Sequence, residues 1–449
     1  MEFFDRTKEI GILRRIRKDS AKSARFTVIT GRRRVGKTEL IKRAFSDEGF
    51  VYFFIARRTE AELCEIFVKE IADKLGVVIP GRVGRVCDLV KFVMNLAKDR
   101  PITLVIDEFQ ELARIDAGAF SSLQRDWDLL HNDIKLNLVV SGSINRMMNR
   151  IFRDRNEPLY GRQTEFLKIK PFSLSTLKEI LSSYKPSWTS EDMLALYAFT
   201  GGVAKYVELL MDNGGFDRDA MLDVILREES TFLEEGRVCL GDEFGKEYGT
   251  YFSILSGIAR GLTTRPQIEN ALGVEIGGFL KNLVSDYELV ARNQPLFDKP
   301  RSKNIAYRLN DNFYTFWFRF IARHAYMLEI GAHDQLKEVV RRDYEQFTGK
   351  MLERYFHDRL AESKKFTRLG SWWDRSGENE IDIIAENELE KTVKFIEVKR
   401  NAARIEMKAL KDKAAAMLRA TGEFKGYGIS YEGLSLENIR KGANSTNVD

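Results

Sequence analysis

The sequence predicts an α/β chain whose first part is a parallel sheet covered by helices. Three observations predict it. Residues 31–38 read Gly-Arg-Arg-Arg-Val-Gly-Lys-Thr, a complete G-x-x-x-x-G-K-[ST] spacing. Residues 26–30 before it are β-branched and apolar, and residues 39–45 after it have helical spacing, so the motif sits between a buried strand and a helix. Two more apolar runs, 102–106 and 136–140, end in acidic or small hydroxyl residues, at the strand end where open α/β sheets bind ligands.

The loop comes first. Gly31 and Gly36 let backbone N–H groups close around phosphate oxygens where a Cβ would clash, with Arg32, Arg33, Arg34 and Val35 forming the cradle between them. Lys37 reaches β- and γ-phosphates and the Thr38 hydroxyl ligates Mg²⁺, so ATP with Mg²⁺ is the expected ligand. At the end of the 102–106 strand, Asp107 is expected to hold Mg²⁺ through water, and Glu108 to orient or deprotonate the attacking water. An acidic pair closing a strand is also a common helix cap; the phosphate loop seventy residues upstream makes it half of a hydrolytic site. After the 136–140 strand, Ser143, with Ser141 in reserve, is expected to touch the γ-phosphate or the water, a plain turn being the alternative. Arg162 follows Pro158-Leu-Tyr-Gly and precedes a strand over 164–169, placed where a neighbouring subunit's γ-phosphate could be approached, a solvated surface charge being the alternative.

At 449 residues the chain exceeds one hydrophobic core and implies roughly three domains. Hydrophobic residues make up 44 %, enough for globular packing, and the 31 % charged content fits a cytoplasmic protein. No eighteen-residue apolar stretch predicts a membrane span, and the charged N-terminus lacks a signal-peptide core. The three cysteines lack C-x-x-C spacing and are expected to be reduced and buried. Four histidines leave little room for a His-based metal site or a Ser-His-Asp triad. The net charge of +5 is compatible with nucleic acid without pointing to it.

Helical spacing over 174–184, 192–199 and 205–212, with a Gly201-Gly202 break, predicts a helical bundle. A helix over 251–259, a Thr-capped helix with Pro266 near its first position, and a helix over 279–286 opened by Gly277-Gly278 follow. Two strand-like pieces around a basic, Pro-bearing loop complete a winged-helix order, with Lys281 and the loop 299–303 as expected DNA-phosphate contacts and a protein-binding wing as the equal alternative. Residues 312–321 are the densest aromatic stretch and read as a packing helix between modules. Residues 441–449 read as a frayed tail.

Near the C-terminus, Glu397 and Lys399 share one face of a strand over 393–399, because strand side chains alternate. Asp382 begins the preceding strand, and folding the hairpin brings it near Glu397. Two carboxylates can hold Mg²⁺ or Mn²⁺, with Lys399 positioning water against a phosphodiester and Glu353, on a neighbouring helix, completing the site. The bland alternative is a surface ion pair; apolar residues on both faces of this strand favour a buried site that needs a partner.

The order of these motifs resembles the archaeal-type AAA+ ATPases, which are similar to origin-recognition and signal-transducing ATPases. The matching residues are Phe4-Asp5-Arg6 with Glu9, the loop 31–38, residues 106–110, 141–143 and 158–162, Gly201-Gly202-Val203, and 312–320. The C-terminal part is similar to PD-(D/E)XK nucleases. The resemblance implies adenine contacts from the box that includes Phe4 and Arg6, a sensor role for Ser143, and an arginine-finger role for Arg162 in a homo-oligomer. It also implies a helical lid. One departure is Ala204, where the family usually carries Pro. The implied organisation is an ATPase core over 1–165, a lid over 166–240, a winged helix with its aromatic linker over 241–334, and a restriction-endonuclease-like α/β domain over 335–449. Two functions follow: an ATP-driven DNA-processing enzyme that gates a nuclease, or a nucleotide-switched regulator whose C-terminal fold only binds DNA or a partner.

Overall fold

The computed structural model describes residues 1–440 other than Glu48, Ile144, Pro300 and Arg301; the tail 441–449, read above as frayed, lies outside them. The chain packs as two compact units, one spanning Phe3–Pro171 and the other spanning 172–449 with the first two residues.

In the first unit, β1 (Arg25–Gly31), β2 (Val51–Phe54), β3 (Ile102–Asp107), β4 (Leu136–Gly142) and β5 (Glu165–Ile169) form one sheet in the order β2-β3-β4-β1-β5. Every pairing is parallel, as helical crossovers require. The strand interiors are apolar on both faces, the mark of a doubly covered sheet. Val28, Phe53, Leu104 and Leu138 pack under the helices Glu60–Leu75, Val86–Leu96 and Ala119–Leu130. Ile29, Val105 and Val139 face the other way, against Leu13 of Thr7–Ser20 and Leu40, Ile41 and Phe45 of Lys37–Phe45. Because β4 lies between β1 and β3, its end falls between the phosphate loop and the acidic pair.

The second unit begins with helices Leu174–Tyr184, Ser190–Thr200 and Ala204–Asp212, close to the predicted spans. Ala204 is the first residue of its helix, a position where proline is equally tolerated, so the departure from the family leaves the helix start intact. Gly202 needs its freedom: φ is +72°, and an added Cβ would meet the Phe172 carbonyl oxygen at 2.6 Å.

Helices Tyr248–Ala259, Arg265–Leu272 and Gly277–Ser285 precede an antiparallel pair, β6 (Val290–Asn293) and β7 (Ala306–Leu309). Thr264 and Gln267 form a capping box at the second helix. Residues 312–321 are a short helix, Asn312–Phe316, continued by a π turn, Trp317–Ile321, rather than one regular helix. Their aromatic rings are buried, and Trp317 donates through Nε1 to the Leu233 carbonyl at 2.9 Å, with Gly236 leaving room for its indole.

The last part is the 30-residue helix His333–Glu362, then β8 (Arg368–Trp373), β9 (Glu380–Asn387), β10 (Thr392–Lys399), the helix Met407–Thr421 and β11 (Gly428–Ser435). The sheet order is β11-β10-β9-β8, with β8-β9-β10 antiparallel and β11 parallel to β10.

The β6–β7 loop does not project as a free wing. The Leu296 N–H donates to the Ser371 carbonyl at 2.9 Å, and Leu296 fills the space over Gly370. Phe297 meets Phe424 edge-on at 5.2 Å, and Trp373 Nε1 donates to Asn304 Oδ1 at 2.8 Å. The loop's apolar residues are spent on the C-terminal sheet, because Leu and Phe in a surface loop gain by burial, while its Lys299 and Lys303 stay exposed. Of that basic loop, Pro300 and Arg301 lie outside the described residues.

Candidate functional site

The phosphate loop has the backbone its glycines predict. Gly36 is left-handed, at φ +93°, and starts the helix Lys37–Phe45. Arg34 is also left-handed, at φ +70°. Gly31 has φ +151°, and an added Cβ would lie 2.5 Å from the Ile169 carbonyl oxygen. Lys37 is buried and its Nζ donates to the Gly31 carbonyl at 2.9 Å and the Arg32 carbonyl at 3.2 Å, so the ammonium is folded along the loop. Arg6 is buried as well. It donates to the Lys170 carbonyl at 2.6 Å and lies 3.3 Å from the Glu9 carboxylate, bracing the loop's framework. Phe4 is half-buried.

The acidic pair sits where β3 ends. Asp107 is 3 % exposed. Its Oδ2 accepts from Thr38 Oγ1 at 2.9 Å and Tyr52 OH at 2.7 Å; its Oδ1 accepts from Ser141 Oγ at 2.5 Å and the Glu108 N–H at 3.0 Å. Burial first, and then the Asp107 charge, push the Tyr52 phenol well above its ordinary range, so it remains a donor. Glu108 is left-handed, at φ +52°, a conformation that costs a residue with a Cβ and is found at functional turns. Its carboxylate accepts from Gln110 Nε2 at 2.5 Å and from Ser143 Oγ at 3.0 and 3.1 Å. Gly142 makes the crossing possible, since a Cβ there would strike the side chains of Gln110 and Met148. Both serines therefore meet the acidic pair, Ser143 on Glu108 and Ser141 on Asp107. The Thr38 hydroxyl and Asp107 carboxylate form an all-oxygen donor set, which suits a hard divalent cation such as Mg²⁺. Tyr52 escaped the sequence reading, since it lies on a strand with no motif of its own, and Gln110 stood in the matching stretch 106–110 without a role.

Arg162 is half-exposed and already engaged. Its Nε and Nη2 hold both oxygens of Asp128 at 3.2 and 3.0 Å, and Nη1 donates to the Tyr160 carbonyl at 2.9 Å.

The C-terminal hairpin brings together the residues expected there. Pairing of Phe395 with Ile384 and Ile396 with Ile383 sets Asp382 beside Glu397. Lys399 Nζ is 2.7 Å from Glu397 Oε1 and 3.6 Å from Asp382 Oδ2, and Asp382 Oδ2 accepts from the Val398 N–H at 2.7 Å. Two more lysines enter that sequence reasoning missed, because they lie on separate helices. Lys413 lies 3.4 Å from Glu397, and Lys350 lies 3.1 Å from Glu353 and 3.4 Å from Glu380. Burial, against the pull of Lys350, raises the Glu353 carboxyl to about 7, with the Asp382 charge adding to the rise. Burial also raises Asp382. Lys399 loses stability of its charge through burial, but Glu397 and Asp382 more than restore it, leaving its pKa above the ordinary lysine value. Among the described residues no group of three or more Asp, Glu, His or Cys is arranged to hold a metal ion. Lys399 therefore bridges the two expected metal-holding carboxylates, Asp382 and Glu397, and the expected assisting residue Glu353 is paired with Lys350.

Residues 3–210 match a family described as an ATPase domain predominantly from Archaea. An uncharacterised protein of Methanocaldococcus jannaschii is 33 % identical over 410 residues, 88 % of this chain and 87 % of its own length. The chain belongs to this archaeal ATPase family. Residues 317–413 of the ATPase match a second family, described as archaeal and bacterial proteins of unknown function. Among solved structures, the Walker-type ATPase of Pyrococcus abyssi is similar in fold, with a TM-score of 0.52 and 19 % identity, covering 71 % of this chain and 96 % of that one. The ORC2 protein of Aeropyrum pernix, in ADPNP–ADP complexes, aligns over 74 % of this chain and 96 % of its own at 15 % identity and a TM-score of 0.49, too loose a likeness to carry a conclusion. The chain is thus a nucleotide-binding ATPase. No helix among the described residues is long and apolar enough to cross a membrane. Cys64, Cys87 and Cys239 are buried; burial raises the Cys64 thiol to about 11 and the Cys87 thiol to about 12, which keeps both protonated.

Proposed function

We propose that the ATPase works on DNA, and that its nucleotide cycle governs a metal-dependent phosphodiesterase in the C-terminal sheet. In the nucleotide site, Lys37 and the loop N–H groups bind the phosphates, and Thr38 and Asp107 would hold Mg²⁺, which would supply positive charge against the phosphates. Glu108, fixed by Gln110 and Ser143, takes the role of aligning the attacking water and accepting its proton. Phe4 and Arg6 belong to the adenine side of the site in this reading.

The observation that carries the nuclease half is the element order. Helix, three antiparallel strands, helix and a parallel fourth strand support a restriction-endonuclease-like fold, and Asp382, Glu397 and Lys399 fall together at its hairpin. Asp382 and Glu397 are the metal-holding candidates for Mg²⁺ or Mn²⁺, Lys399 steers water, and Glu353 at its raised pKa is suited to pass a proton. The three-helix and hairpin segment supports a winged-helix DNA module, with exposed Lys281 on its third helix.

A second reading, a nucleotide-switched regulator without cleavage, is favoured by one specific observation: lysines, not a preformed ligand set, balance the C-terminal carboxylates. Incubation with single-stranded, duplex and branched DNA, with Mn²⁺ or Mg²⁺ and with or without ATP, decides between them. The nuclease reading expects cleavage that Asp382→Ala and Lys399→Ala eliminate while ATP hydrolysis continues. Absence of cleavage under every condition leaves the regulator.

A further inference from the structure

We propose that the cleft between the β6–β7 loop and the β8–β9 turn is a docking site for the phosphodiester backbone of a nucleic-acid strand. The cleft encloses about 590 Å³ and is lined by Lys299, Ser302, Lys303, Asn304 and Arg375. Among the described residues, three cations, a hydroxyl and an amide line it, and no carboxylate does. None of the three cations has an ion pair among the described residues. Like charges gathered from two separate segments repel one another, so the arrangement favours an arriving anion.

The walls are built independently of any ligand. On one side, Leu296 and Asn304 fasten the loop to Ser371 and Trp373. On the other, Asp374 is turned inward on its own turn, accepting from Ser376 Oγ at 2.9 Å, Asn379 Nδ2 at 2.6 Å and the Glu378 N–H at 3.0 Å. Its charge is thereby committed to shaping the turn that carries Arg375. The cleft is open and its cations are spread along both walls, which matches a linear polyanion better than a single enclosed phosphate.

Its position relates it to the carboxylate–lysine site. Trp373 pairs with Glu380 across the β8–β9 ladder, Glu380 lies 3.4 Å from Lys350, and Asp382 follows two residues later on the same strand. A strand held at Arg375 is therefore at the mouth of the β9 segment that bears Asp382. This placement rests on the nuclease reading above; the binding itself does not.

The test is fluorescence anisotropy of the full-length protein with labelled single-stranded and duplex oligonucleotides over a salt series. The variant is the triple substitution Lys299→Ala, Lys303→Ala and Arg375→Ala. Each phosphate contact contributes about 0.7 to the log–log salt slope on single strands and about 0.9 on duplex, so the triple variant should bind at least about tenfold more weakly with a slope reduced by about 2–3. The charge-preserving Lys299→Arg, Lys303→Arg variant should restore binding, and unchanged ATP hydrolysis and thermal unfolding show that the fold is intact. Binding by the triple variant within about twofold of wild type overturns the proposal, as does a wild-type protein that binds neither oligonucleotide at about 50 mM salt. If the triple variant loses binding but wild type cleaves nothing with Mn²⁺, the cleft stands and the nuclease reading falls. If wild type cleaves and the triple variant cleaves equally well at limiting DNA, the cleft falls and the nuclease reading stands.

Discussion

In the N-terminal unit, Asp107 is held by three hydroxyls and a backbone N–H, and Glu108 by a serine and a glutamine; neither has an ion pair among the described residues. In the C-terminal sheet, Glu397 lies against Lys399 and Lys413, and Glu353 against Lys350. Neutral donors orient a buried carboxylate and leave its charge in place, so the first site can receive a cation without first giving up a partner. Lysines cancel the charge they touch, so a cation entering the second site must displace at least one of them, and the buried charge left behind opposes the exchange. The first is arranged ahead of its ligand, and the second is balanced without one.

The largest test of this contrast removes a charge from the first site. Glu108→Gln keeps the contacts to Gln110 and Ser143 but cannot accept a proton, so ATP turnover should fall by about 10²–10⁴ while nucleotide affinity is retained. Phosphate release and fluorescent-nucleotide titration read the two effects separately; turnover at the wild-type rate would remove Glu108 from the mechanism. Next in size, Lys37→Ala deletes a charge-assisted donor to the phosphates and should weaken nucleotide binding by about 3 kcal/mol, near 100-fold. A smaller loss would mean that the loop N–H groups carry the affinity alone.

A pH series probes the second site. Glu353 titrates in the unfolded chain near 4.5 and in the fold at about 7, so the fold favours its neutral form. That contribution is fully present below about pH 4.5 and is lost as pH rises towards 7. With a quarter of its side chain still exposed, the loss is about 1–3 kcal/mol. The neutral Glu353→Gln variant should not show it, so its unfolding free energy should gain on wild type between pH 4.5 and 7 by that amount. Parallel curves would mean that Lys350 compensates Glu353 completely. The smallest expected effect concerns Arg162. Its pair with Asp128 is partly exposed, at 28 % and 45 %, and Asp128→Ala should change stability by less than about 1 kcal/mol. If Arg162 acts on a neighbouring subunit's nucleotide, Arg162→Ala should lower turnover with a dependence on protein concentration that Asp128→Ala does not share.

The sequence made the nucleotide site legible because phosphate binding constrains consecutive residues. Loop, lysine and hydroxyl lie within residues 31–38, and the acidic pair ends an unmistakable apolar strand. Local spacing likewise determined the helix over 174–184 and the paired strands that place Asp382 beside Glu397. What depended on residues distant in the chain was decided by tertiary structure alone. Tyr52 reaches Asp107 only because β2 and β3 are neighbours, and Ser141 reaches it only because β4 is inserted between β1 and β3. Lys350 and Lys413 become partners of Glu353 and Glu397 when two helices pack on one sheet, and nothing in a helical lysine's sequence setting distinguishes it from a solvated one. The basic charges of the hairpin loop are visible in sequence, whereas the burial of Leu296 and Phe297 against Gly370 and Phe424 is not. Motifs record contacts made within a few residues; the charge state of a site is set by whatever the fold brings to it from elsewhere.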